Sequence, residues 1–218
     1  MEAIKLKWKQ LTVGPVQANC YIVWNSQDEA LVIDPGSEGE RINQELNNLN
    51  VKPIAILLTH AHFDHIGALE EVRKEWQIPV YLHPDEKDWP ENPDLNGSSF
   101  FPMVKPVKAS KADREIKHGQ SLTLGHFTCD VLHTPGHSPG SVSFHFEGEG
   151  IVLSGDALFM GSIGRTDLPG GSHETLIKSI HNELLSLDEE TLVLSGHGPT
   201  TTIGEEMNTN PFLNGFSL

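Results

Sequence analysis

The chain has 218 residues, 37% hydrophobic and 21% charged, which suits one large domain or two small ones with a core that needs no disulfide staples. No run approaches the roughly 18–20 consecutive apolar residues that span a bilayer, so a membrane-spanning protein is not expected. Fifteen Lys and Arg against 30 Asp and Glu leave a net charge of −15, a poor balance for general nucleic-acid binding, which draws on Lys and Arg.

The opening Met1-Glu2-Ala3-Ile4-Lys5 has no apolar stretch with a small-residue cleavage site, so no signal peptide is expected. Short apolar runs then predict strands at 20–23 and 30–33, the second closed by the turn Asp34-Pro35-Gly36. Ile42, Leu46 and Leu49 predict a helix over 37–48. The continuous apolar run 54–58 reads as a buried strand, and Ala68, Leu69, Val72 and Trp76 place a helix over 67–76. A strand at 80–82 leads into the irregular stretch 84–110, which holds five prolines with Trp89, Phe100, Phe101 and Met103 and is expected to be a surface loop or a partly mobile wall over a pocket. Strands at 127–132, 142–146 and 151–153 follow, then a helix over 172–187 capped by Ser172, then a strand at 191–194. This order suits sheet layers covered by helices, an α/β chain with no dividing linker, so 1–218 is expected to form a single domain. Cys20 and Cys129 both sit in apolar runs and are expected to be buried small hydrophobes. Two cysteines make no disulfide framework, which points to a reducing compartment and a cytoplasmic location.

The composition is unusual in its 12 histidines. Four potential ligands fall in Thr59-His60-Ala61-His62-Phe63-Asp64-His65, directly after the buried strand. Alternate residues of an extended chain point the same way, so His60 and His62 can share one metal, while Asp64 and His65 can face a second point. Three further segments end an apolar run with a glycine beside a polar residue: Pro135-Gly136-His137, Gly155-Asp156 and Gly196-His197. In layered α/β folds, ligands gather where strand ends give way to loops.

Together, His60-Ala61-His62-Phe63-Asp64-His65, His137, Asp156 and His197 resemble the signature of the metallo-β-lactamase superfamily, and the flanking residues are most similar to its glyoxalase II branch. Gly155 to Phe159 and Gly164 to Gly171 look like the compact bacterial members of that branch. The resemblance implies a four-layer αββα sandwich. It implies two divalent metal ions per chain, zinc first, with iron or manganese as alternatives. It implies that His60, His62 and His137 hold one ion, that Asp64, His65 and His197 hold the other, and that Asp156 bridges them. The larger members add a C-terminal helical domain for glutathione, and the short stretch after His197 is expected to lack it.

The implied activity is hydrolysis of a small 2-hydroxyacyl thioester of a low-molecular-weight thiol by a metal-bridging hydroxide, with Asp64 orienting the attack and no protein, membrane or nucleic-acid partner. Arg165, in a Gly-rich loop, is expected either to bind a carboxylate of the thiol carrier or to pair with Asp167 and stiffen the loop. The alternatives are a mononuclear iron persulfide dioxygenase, which shares most of these ligands, and a non-catalytic metal-binding module. A β-lactamase fits the combination of His65 with Asp156 less well. Asp34 is either a plain turn residue or a support for the metal loop, and His133 either orients a ligand or packs on a strand. Thr59 and Ser138 are expected to make ordinary turn contacts, and His83, His118, His126, His145, His173 and His181 to be surface or capping residues.

Overall fold

The computed structural model describes residues 6–102 and 104–214. The expectations for Met1 to Lys5 and for Met103 fall outside these residues.

The strands are β1 (Lys7–Val13), β2 (Ala18–Trp24), β3 (Glu29–Ile33), β4 (Lys52–Leu57), β5 (Val80–Leu82), β6 (Arg114–Glu115), β7 (Ser121–Leu124), β8 (Phe127–His133), β9 (Val142–Phe146), β10 (Ile151–Gly155), β11 (Leu158–Phe159), β12 (Ser162–Ile163), β13 (Leu192–Ser195) and β14 (Thr201–Thr202). The helices are α1 (Gly39–Asn48), α2 (Phe63–Ile66), α3 (Leu69–Trp76), α4 (His173–Ser179) and α5 (Ile203–Thr209). One six-stranded sheet runs β1-β2-β3-β4-β5-β6 and the other β14-β13-β10-β9-β8-β7.

The apolar runs that look continuous in sequence divide by alternate residues once folded. Tyr21, Val23, Leu31 and Ile33 point inward and meet Phe127, Val131, Phe144 and Leu153 of the second sheet. Cys20, Ile22, Ala30 and Val32 point outward, beneath Ile42 and Leu46 of α1 and Val72 of α3. On the far side, Val152 and Val193 pack under Leu176 and Ile180, with Ile203 of α5. Burying both faces of each sheet in this way produces the αββα sandwich. Both cysteines are buried, and burial pushes the Cys129 thiol up to about 12, so it stays protonated and unreactive.

Strand direction places the chemistry. β3 and β4 pair in parallel in one sheet, and β10 and β13 in the other. Their C-terminal ends lead to Asp34, to His60 and its neighbours, to Asp156 and to His197. The two sheets are stitched together there, since Val142 N donates to Thr59 O at 2.8 Å and Asn19 N to Gly196 O at 2.7 Å.

Several expectations need correction. The helix expected over 67–76 begins at Leu69, and a separate short helical turn that was not expected precedes it at Phe63–Ile66. Ser172 caps α4 as expected, its hydroxyl accepting from Thr175 N, but the regular helix ends at Ser179 and a wider turn continues through Ile180–Leu184. Edge strand β1 carries Lys7, Lys9, Gln10 and Thr12 among its apolar residues, which obscured its period. Among the described residues, no helix is long and apolar enough to cross a membrane.

Candidate metal centre

Asp34 ends β3 with a left-handed backbone, φ 51°, and is 2% exposed. Its carboxylate accepts from Thr59 N at 2.8 Å, from Thr59 Oγ1 at 2.6 Å and from His65 Nδ1 at 3.0 Å. It therefore supports the metal loop rather than serving only as a turn residue. Thr59 has spent its hydroxyl proton on Asp34, so its oxygen accepts from His60 Nδ1 at 3.1 Å. His137 Nδ1 donates to the Arg165 carbonyl at 2.7 Å. In all three rings the outer nitrogen is held by the protein and Nε2 faces the interior, the arrangement of metal-ligating imidazoles.

The seven residues converge. His60, His62 and His137 form one trio whose ligand atoms lie within 4.8 Å of one another, and Asp64, His65 and His197 form a second. Within the first, His62 Nδ1 and His137 Nε2 stand 2.8 Å apart. Within the second, His197 Nε2 lies 3.2 Å and His65 Nε2 3.8 Å from Asp64 Oδ2. Asp156 stands between them: Oδ2 is 3.5 Å from both His137 Nε2 and His197 Nε2, and Oδ1 is 3.4 Å from His65 Nε2.

The donor set suits divalent cations. His60 Nε2, His65 Nε2 and Asp156 Oδ1 are buried with no hydrogen-bond partner among the described residues, an arrangement that costs free energy unless a cation completes it. Burial, with His137 beside it, pushes the His62 imidazole down to about 3, so the ring stays neutral and able to ligate. Burial opposes the charge on Asp156, but the surrounding His65, His137 and His197 hold its carboxyl well below the usual carboxylate range.

Two residues escaped the sequence reading. Asn19, on β2, donates its amide to Ser195 O at 3.0 Å and to Gly198 O at 2.9 Å, while its backbone N donates to Gly196 O at 2.7 Å. The first sheet thereby holds the His197 turn of the second. Glu86 is fully buried in the stretch expected to be a surface loop, and accepts from Ala61 N, Ser138 Oγ and Gly140 N. Ser138 thus does more than close its own turn. The neighbouring Trp89 is buried against the His62 ring, with centroids 5.4 Å apart. Within the same stretch Asn96 ties residues 89 and 107 together, donating to Trp89 O and Val107 O.

His133 does not contact the trios; its Nε2 donates to Pro139 O at 2.9 Å. His83 is not a surface residue: it is buried, accepts from Asp85 N and stacks on His133 at 4.3 Å with 11° between ring planes. The ligand atoms of His83, Asp85 and His133 also lie within 4.8 Å of one another, but parallel stacked rings aim their lone pairs side by side rather than at one point.

A cavity of 350 Å³ opens over the trios, within the size range of small-molecule sites. Phe63, Phe101, Phe159, Ile163 and Leu168 give it apolar walls. Arg165 lines it too, but its Nε and Nη2 are both held by Asp167, each at 2.7 Å.

The metallo-β-lactamase superfamily matches residues 13–197. The chain belongs to that superfamily. It is 55% identical to the probable metallo-hydrolase YqgX of Bacillus subtilis, over 98% of this chain and 100% of the relative. It is 37% identical to the hydroxyacylglutathione hydrolase GloC of Haemophilus influenzae, over 94% of this chain and 96% of the relative. Among solved structures, the B3 metallo-β-lactamase BLEG-1 superposes with a TM-score of 0.93 at 53% identity, covering 96% of this chain and 100% of its own. TTHA1623 in a di-iron-bound form superposes with a TM-score of 0.85 at 43% identity, covering 94% and 100%. The chain is thus a metal-dependent hydrolase of the metallo-β-lactamase superfamily with a His/Asp centre able to bind metal ions.

Asp34 yields a direct prediction. Asp34→Asn tolerates the left-handed backbone but offers an amide where three donors converge. Metal affinity at the His65 side should fall about 10–100-fold, the usual cost of losing a partner behind a ligand, as read by chelator competition. Unchanged affinity would show that Asp34 does not orient His65.

Proposed function

We propose that the chain hydrolyses thioesters of a small 2-hydroxy acid and a low-molecular-weight thiol, using two cations per chain. The position of Asp156 between the two trios carries this reading. Two divalent cations at such a centre lower the pKa of water and polarise a carbonyl oxygen. His60, His62 and His137 would hold one and Asp64, His65 and His197 the other, with Asp156 shared. Asp64, on the cavity wall, accepts a hydrogen bond from the attacking water and aims it at the carbonyl carbon.

The leaving group favours a thioester. Apart from the seven clustered residues, the polar side chains lining the cavity are Ser162 and Arg165, and Arg165 is tied to Asp167. Neither is suited to protonating a departing amine. A thiol of pKa near roughly 8.5 leaves as thiolate without that help. Likeness to GloC supports the same choice. Likeness to BLEG-1 favours a second reading, β-lactam hydrolysis, which the same assay separates.

Purified protein of measured metal content is to be assayed against lactoyl thioesters of several thiols, a β-lactam, and a thiol persulfide with oxygen uptake recorded. Thioester hydrolysis with the highest kcat/KM is the expected result. β-Lactam turnover or oxygen consumption without thioester hydrolysis would overturn it, and the metal content decides between zinc, iron and manganese.

Arg165 grips substrate in this reading only by exchanging Asp167 for a carrier carboxylate. Its existing two-bond pair makes loop stiffening its main role, so Arg165→Ala should lose kcat/KM equally on charged and uncharged thioesters. A loss confined to carriers bearing carboxylates would show that the exchange occurs.

A further inference from the structure

Each metal-binding trio has one buried carboxylate behind it that no ligand role uses. Behind His65 stands Asp34. Behind the other trio stands Glu86, delivered by the short helical turn Pro84–Glu86 and 0% exposed. Its Oε2 accepts from Ala61 N at 2.6 Å, and Ala61 lies between His60 and His62 in the chain. Its Oε1 accepts from Ser138 Oγ at 2.5 Å and from Gly140 N at 2.8 Å, and Ser138 directly follows His137. One side chain thus joins the two segments that carry all three histidines of the trio, segments about 75 residues apart in the chain. All three neighbours donate and both Glu86 oxygens accept, bonds that offset part of the burial pushing its carboxyl up to about 7. A β-carbon on Gly140 would lie 2.8 Å from Glu86 Cγ, so glycine there leaves room for the clamp.

We infer that Glu86 is a positioning residue that sets the spacing of His60, His62 and His137 and so tunes the cation held by that trio, independently of the other. This rests on the reading that the trio binds a metal. Glutamine is nearly isosteric but puts an amide at one oxygen, so in either orientation it turns a donor toward Ala61 N or Gly140 N.

The test is competition between zinc-free protein and a chromophoric chelator for Zn2+, with anomalous scattering at sub-stoichiometric zinc to give the occupancy at each trio. Glu86→Gln should weaken zinc at the His60 side about 10–100-fold and leave the His65 side within twofold. Asp34→Asn should weaken the His65 side directly and, through Thr59, the His60 side as well. Ser138→Ala removes one of the three bonds and should act in the same direction as Glu86→Gln but less strongly; it decides the matter if Glu86→Gln does not fold. Equal weakening at both trios in Glu86→Gln, or a lower Tm with both affinities intact, would overturn the inference and leave Glu86 a general structural residue. Failure of the unmodified chain to load zinc at the His60 side would overturn the dinuclear reading itself, and this inference with it.

Discussion

Asp156→Asn should bind one metal equivalent where the proposed centre takes two, and lose about a thousandfold in kcat/KM, the scale of roughly 3–5 kcal/mol for breaking a buried charged partnership. Both carboxylate oxygens are engaged: Oδ2 stands 3.5 Å from His137 and His197, and Oδ1 stands 3.4 Å from His65. An amide of the same shape must place its NH2 at one of them, and a nitrogen without a free lone pair cannot ligate. Loss of the negative charge also leaves two cations with less to hold them together. The measurement is metal content by mass spectrometry beside steady-state kinetics on the best thioester. Two equivalents at the original rate would remove Asp156 from the bridge and with it the argument for a shared centre.

The fold and the seven clustered residues were legible for different physical reasons. The apolar runs at 30–33 and 54–58 show as strands because burial on both faces leaves no polar residue to interrupt them. The histidines are legible because imidazoles crowded after a buried strand have few uses other than a ligand role. Asp34 could be seen only in part. An Asp-Pro-Gly turn after a strand is common, and nothing nearby in sequence reveals that its carboxylate meets Thr59 and His65, 25 and 31 residues on. Glu86 and Asn19 were hidden further. Each is a single polar residue whose partners lie across the fold, Glu86 among prolines that read as loop and Asn19 within an apolar strand. What makes them informative is zero or near-zero exposure with several bonds satisfied, which only the folded chain displays. Likewise, alternation between the two sheet faces is invisible in a run where both sets of residues are apolar.

Gly196→Ala should abolish most activity while leaving the fold intact. The backbone of Gly196 lies outside the left-handed region, so alanine is conformationally permitted there. The obstacle is space. A β-carbon at this position would overlap Asp156 Oδ1, and would stand 2.9 Å from the Gly155 carbonyl carbon and 3.0 Å from His65 Cε1. The strand ends cannot retreat, because Gly196 N is bonded to Gly155 O and Asn19 holds the same turn from the other sheet. The side chains must yield instead, and those that yield are the shared carboxylate and a histidine of the second trio. Displacement of catalytic groups by about 1 Å costs on the order of 100-fold in rate, so kcat/KM should fall at least that far, with metal lost first from the His65 side. Gly148→Ala is the matched control: a β-carbon there meets nothing within 4 Å, and its kinetics and metal content should not change. Tm measured without added metal separates the outcomes. A Gly196→Ala protein that keeps both metals and its rate would show that Asp156 can move without consequence, which the geometry of a shared carboxylate does not allow.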